Sequence, residues 1–173
     1  LKISDGTLDA WRTILERAPQ AHLLLQDTMR VPARVTELER RLRAAGLPMA
    51  RVTAKMGSDD YLDDLARQDL ILDTFPYPGG AMTATALYLG VPVLTLRGDN
   101  HSRSVGASIL TAAGLPELVA EDVGEYVEKA VGLAVERERL VALQEHVWKD
   151  VSASPLCDCE RYRAAFIQKQ GTP

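Results

Sequence analysis

The stretch that decides the fold is Asp69-Leu70-Ile71-Leu72-Asp73, then Thr74-Phe75-Pro76-Tyr77-Pro78-Gly79-Gly80, then Ala81-Met82-Thr83-Ala84-Thr85-Ala86-Leu87-Tyr88-Leu89. An apolar triplet between two carboxylates predicts a short strand buried on both faces. The proline- and glycine-rich segment predicts a turn, and the run after it a helix from about Ala81 to Leu89, stopped by Gly90. Val91-Pro92-Val93-Leu94-Thr95-Leu96 reads as the next strand, with its proline near the first position, where a strand tolerates one. Strand, turn, helix, strand is the repeating unit of a parallel sheet with helical crossovers.

Both flanks continue the alternation. Upstream, Leu8, Trp11 and Leu15 fall at helical spacing behind Ser4 or Asp5 as a cap, Pro19 ends that helix, and His22-Leu23-Leu24-Leu25 reads as a strand. Val35, Leu38, Leu42 and Ala45 mark a second helix closed by Gly46; Arg40, Arg41 and Arg43 read as its solvated face. Arg51-Val52-Thr53-Ala54 is a short strand, and Ser58 is expected to cap a third helix with Asp59 and Asp60 in its first turn. Downstream, helices are expected at about 101–113 and 121–135, and a helical tail at 136–170 broken near Ser152–Pro155. The fold class is therefore α/β, a Rossmann-like parallel sheet with helices on both faces. Residues 1–150 should form the lobe, with 151–173 a helical tail packed on it within the same domain.

Composition narrows the function. The 173 residues are 46% hydrophobic and 25% charged, a globular balance. At this length folding buries roughly 70% of the unfolded chain's surface, enough for a core without disulfides or metal. The net charge of −4 and an aromatic content of 5% argue against a nucleic-acid footprint or a base-stacking platform. No apolar run approaches the roughly 20 residues of a membrane span, so no membrane partner is expected. Cys157 and Cys159 are two residues apart and suit a reducing, cytoplasmic chain. Leu1 in place of Met leads us to expect a piece of a longer protein.

In an open parallel sheet, ligands bind beyond the carboxyl ends of the strands. The richest loop there is 74–80, with two glycines leading into a helix whose first-turn amides and dipole favour an anion such as a diphosphate. The glycines lack both the dinucleotide-binding spacing and the lysine of a P-loop. A tight strand-to-helix turn with no ligand is the competing reading.

The stretch Leu72–Leu96 resembles the C-terminal catalytic half of the O-GlcNAc transferase and SPINDLY-like glycosyltransferases, glycosyltransferase family 41. The likeness extends to Lys2-Ile3-Ser4 with Thr7, Leu8 and Trp11, to His101 with Val105-Gly106-Ala107-Ser108, to Ala113–Val119, and to Trp148 with Ser154-Pro155-Leu156. It implies the C-terminal, donor-binding lobe of a two-lobed glycosyltransferase-B fold. It also implies a UDP-sugar donor (UDP-N-acetylglucosamine), inverting transfer to a protein Ser or Thr held by an N-terminal lobe, no metal or other cofactor, and tetratricopeptide repeats upstream. The lobe on its own is then expected to be inactive.

By the resemblance, Lys2 is the catalytic cation on the diphosphate. Gly79, Gly80, Ala81, Met82 and Thr83 form the phosphate turn, Met56 and Tyr61 meet the uracil, Thr85 lies at the ribose, and His101 lies at the same edge. Local sequence alone also admits a solvated Lys2, an ordinary surface Tyr61, and His101 as a cap or packing residue. The family's paired threonines are replaced here by Ala81-Met82, and its acidic ribose residue by Thr85. Main-chain amides and Thr83 are then left to hold phosphate. A different sugar-nucleotide enzyme of the same architecture, or a non-catalytic α/β interaction module, are the alternatives.

Overall fold

The computed structural model describes residues 2–27, 31–57 and 60–170. Ser58 and Asp59, expected at the start of the third helix, lie outside the described residues, as do the side chains of Asp27 and Met56. The chain alternates helix and strand: α1 (Asp5–Arg17), β1 (Leu23–Asp27), α2 (Pro32–Ala44), β2 (Val52–Met56), α3 (Tyr61–Ala66), β3 (Ile71–Leu72), α4 (Ala81–Tyr88), β4 (Val93–Leu96), α5 (Val105–Ala112), β5 (Val119–Ala120), α6 (Val123–Val135), α7 (Arg137–Ala153) and α8 (Cys159–Gln170).

Every pairing is parallel, in two segments: β1 with β2, and β3 with β4 with β5. Instead of one continuous sheet, an apolar cleft separates β1 from β3. Leu23, Leu24, Leu70, Leu72 and Trp11 line it. The expected strand 69–73 pairs through only Ile71 and Leu72, and the expected 91–96 pairs through Val93–Leu96. Side chains alternate across β4 and β5. Leu94 and Ala120 join one core with α1, α2 and α6, while Val93 and Val119 join the other with α4, α5 and α7. Helices thus cover both faces, and each fully buried leucine contributes roughly 1.5–3 kcal/mol relative to exposure.

Local chemistry accounts for the ends. Ser4 caps α1, its Oγ accepting from the Thr7 amide at 3.1 Å. At the other end of α1, the Arg51 guanidinium donates to the Leu15, Ala18 and Ala21 carbonyls, a cation where the dipole favours one. Gly46 and Gly90 follow α2 and α4 with φ of 75° and 80°, the left-handed conformation that suits glycine.

Two expectations need correcting. The division at residue 150 falls inside α7, and Val151 belongs to the second core. The tail packs on the lobe only at its start: Val151 and Ser154 are buried, whereas every described side chain from Pro155 to Gln168 is exposed. Tyr162 and Phe166 stack on each other along α8, with ring centroids 6.3 Å apart, and both remain exposed among the described residues.

Candidate functional site

The carboxyl ends of β3 and β4 meet the first turn of α4. Gly80 occupies the N-cap position without any side-chain cap, and its carbonyl accepts from Ala84. The amides of Ala81, Met82 and Thr83 therefore have no intrahelical acceptor and carry the positive end of the dipole. Ala81 and Met82 are exposed, so this end is open to an anion.

The loop before it is held from below by Asp73, which is only 7% exposed. Its Oδ1 accepts from the Thr74 amide at 2.9 Å and the Gly79 amide at 2.7 Å. Its Oδ2 accepts from Thr95 Oγ1 at 2.8 Å. Its main chain is fixed as well, the amide donating to the Leu94 carbonyl and the carbonyl accepting from Tyr126 Oη at 2.8 Å. The Tyr126 phenol is fully buried, and that burial pushes its pKa up, so it stays a donor. Glycines make room for the packing. A Cβ on Gly79 would lie 2.5 Å from Thr83 Oγ1, and one on Gly106 would lie 2.8 Å from Asp73 Oδ2.

Burial raises the Asp73 carboxyl above its ordinary range. Hydrogen bonds from Gly79, Thr95 and Thr74 and the charge of Lys2 pull it down without cancelling that effect. The folded chain therefore holds this proton more tightly than the unfolded one. The associated stability is full below the ordinary carboxylate pKa and is lost as pH rises through the raised value. Asp73→Asn is accordingly expected to be more stable than the parent near neutral pH, the difference vanishing at about pH 3, below both values. Urea unfolding at the two pH values checks this, and an asparagine variant weaker than the parent at neutrality would contradict it.

The chain start is tied to the same loop. Ser4 Oγ and Thr7 Oγ1 both donate to the Phe75 carbonyl, each at 2.7 Å. Arg41 donates to the Ile3 carbonyl at 2.9 Å and to Asp5 at 2.7 Å. The arginine face of α2 is thus partly engaged and not simply solvated. These ties bring Lys2 to the mouth of the cleft that Thr74 also lines, close enough for its charge to act on Asp73.

The residues expected at the site divide accordingly. Gly80, Ala81 and Met82 form the open start of α4, and Lys2 lines the cleft that Thr74 also lines. The Gly79 amide is already taken by Asp73, so Gly79 shapes the turn, and Thr83, 3% exposed, sits beneath it. Thr85 Oγ1 donates back to the Ala81 carbonyl within the helix. Tyr61 opens α3 half-buried against the second core. Met56 ends β2. His101 is exposed at the start of a short 3-10 turn whose cap is Asn100, so His101 neither caps nor packs. Asp73, Thr95, Gly106 and Tyr126 were missed in sequence. A carboxylate ending the most apolar strand, six residues before a glycine, was the signal for Asp73.

A Rossmann-like lobe with an open, uncapped helix start beyond its parallel strands has the class of one lobe of a glycosyltransferase-B fold. Residues 1–166 match the model of glycosyl transferase family 41, and the chain belongs to that family. It is 34% identical over 170 residues to a probable UDP-N-acetylglucosamine–peptide N-acetylglucosaminyltransferase SPINDLY of Solanum lycopersicum, covering 93% of this chain and 18% of that protein. A UDP-N-acetylglucosamine–peptide N-acetylglucosaminyltransferase of Caenorhabditis elegans is 32% identical over 167 residues, covering 93% of this chain and 14% of that one. A lysine-to-methionine mutant of the Thermobaculum terrenum O-GlcNAc transferase superposes with a TM-score of 0.79 at 34% identity, over 88% of this chain and 30% of that structure. The chain thus spans less than a fifth of these two relatives' length.

Proposed function

We propose that this chain is the donor-binding lobe of an inverting, metal-independent protein O-glycosyltransferase that uses UDP-N-acetylglucosamine. One observation supports the reading: the uncapped start of α4, next to the loop on which Ser4 and Thr7 anchor the Lys2 segment through the Phe75 carbonyl. In transfer, an acceptor hydroxyl oxygen bonds to the anomeric carbon as the bond from that carbon to the diphosphate oxygen breaks. UDP leaves with the electron pair, and the hydroxyl proton passes to a base on the acceptor side. The diphosphate gains negative charge, and fixed amides plus an ammonium stabilise that charge where no metal does. In this reading Tyr61 and Met56 serve the uracil and Thr85 the ribose.

The Ser or Thr acceptor belongs to an N-terminal lobe, with helical repeats before it. Among the described residues no helix is long and apolar enough to cross a membrane. Cys157 and Cys159 are free and exposed, which supports a reducing, cytoplasmic setting.

Calorimetric titration with UDP, in EDTA and again with magnesium, tests the reading. Saturable binding of equal affinity in both is expected. Binding that needs magnesium would remove the metal-free reading, and no heat at millimolar nucleotide would favour an interaction module that kept the fold and lost the ligand.

A further inference from the structure

We propose that Asp73 is the positioning residue of the phosphate turn. Its carboxylate grips the Gly79 amide and so fixes the direction in which the free amides of Ala81 and Met82 face an anion. The inference rests on the donor-lobe reading and deepens it.

The geometry is that of a brace. One oxygen, Oδ1, accepts from both Thr74 and Gly79, closing the loop 74–79 on a single atom. Its partner, Oδ2, is held by Thr95 on the neighbouring strand. With the Asp73 amide bonded to Leu94 and its carbonyl to Tyr126, neither main chain nor side chain can move without breaking a buried hydrogen bond. Gly79 precedes Gly80, the N-cap of α4, so fixing its amide fixes the entry of the helix. Thr83 Oγ1 closes over Gly79 from the helix side, which leaves the turn one position.

The charge argues for geometry as well. A buried carboxylate below a diphosphate site repels the ligand, so it does not serve affinity through its charge. It cannot act as the base for an acceptor, because it is buried and both oxygens already accept from fixed donors. What remains useful is the pair of lone-pair directions that hold two amides at once. An asparagine oxygen supplies the same directions, while its amino group can donate to Thr95 Oγ1.

The test uses the 173-residue chain, labelled for amide detection, as parent, Asp73→Asn and Asp73→Ala. UDP affinity and hydrogen exchange at Gly79, Gly80 and Ala81 are read in each. Asp73→Asn is expected to bind UDP within about threefold of the parent and to keep Gly79 protected, whereas Asp73→Ala, while still folded, loses that protection and roughly tenfold or more in affinity. If the alanine variant does not fold, Asp73→Ser carries the comparison, since its hydroxyl is too short to reach the Gly79 amide.

An alanine variant that binds UDP like the parent overturns the proposal. So does an asparagine variant that loses as much as alanine, because the charge would then be what matters. A parent that does not bind UDP sinks the donor-lobe reading instead. The exchange comparison, made without ligand, still decides whether Asp73 holds the turn: equal exchange at Gly79 in the parent and Asp73→Ala would end the idea.

Discussion

Replacing Gly106 with alanine is expected to lower stability by roughly 2–4 kcal/mol, the sum of overpacking a filled core and breaking a buried hydrogen bond. The added carbon would lie 2.6 Å from Thr95 Oγ1 and 2.8 Å from Asp73 Oδ2. Both atoms are buried and bonded to each other, so neither can step aside cheaply. Either α5 lifts from the sheet or the Thr95–Asp73 bond opens. For a chain of this length that corresponds to a fall of about 6–12 °C in Tm.

The same change at Gly132, on α6, is the control. Its new carbon meets nothing nearer than 3.9 Å, so helix propensity alone acts and stability should rise by about 0.5–1 kcal/mol. Denaturant unfolding of the two variants side by side checks the contrast. A Gly106→Ala chain as stable as the parent would mean that the helix and sheet approach each other less closely than described.

The second large effect concerns Lys2. Lys2→Ala is expected to weaken UDP binding by about ten- to a hundredfold, the weight of a charge-assisted hydrogen bond of roughly 1.5–3 kcal/mol. Stability should hardly change, because Lys2 is exposed while the segment's anchors are Ser4, Thr7 and Arg41. The loss should shrink as salt is added, since an exposed ammonium is screened. Calorimetry at two ionic strengths reads both features. Unchanged affinity at low salt would remove Lys2 from the diphosphate.

Much of this architecture could be read from local sequence. Ser4, three residues before Thr7, announced a cap, and Gly46 and Gly90 announced helix ends; each interaction spans a few residues and leaves a signature in order and spacing. The glycine-led entry to α4 was visible for the same reason.

The support beneath it was not. Asp73 meets Thr95 and Tyr126 across 22 and 53 residues, and no periodicity encodes such a meeting. Gly106 looked like one more small residue in a helix, although its lack of a side chain admits the carboxylate. At His101 the residue types suggested a cap, but Asn100 holds the geometry. On α8 the sequence supplied aromatic residues at helical spacing, yet whether a partner covers them depends on tertiary placement. The split between β1 and β3 likewise turns on edge-to-edge distance, which strand patterns do not carry.

The start of α4 has an evolutionary corollary. On the proposed reading, a ligand grip written in peptide N–H groups is indifferent to side-chain drift, so Ala81 and Met82 in place of hydroxyl residues are compatible with retention of the ligand. Proline is the one natural residue such a grip must exclude from its donor positions, because it alone deletes the atom that does the holding.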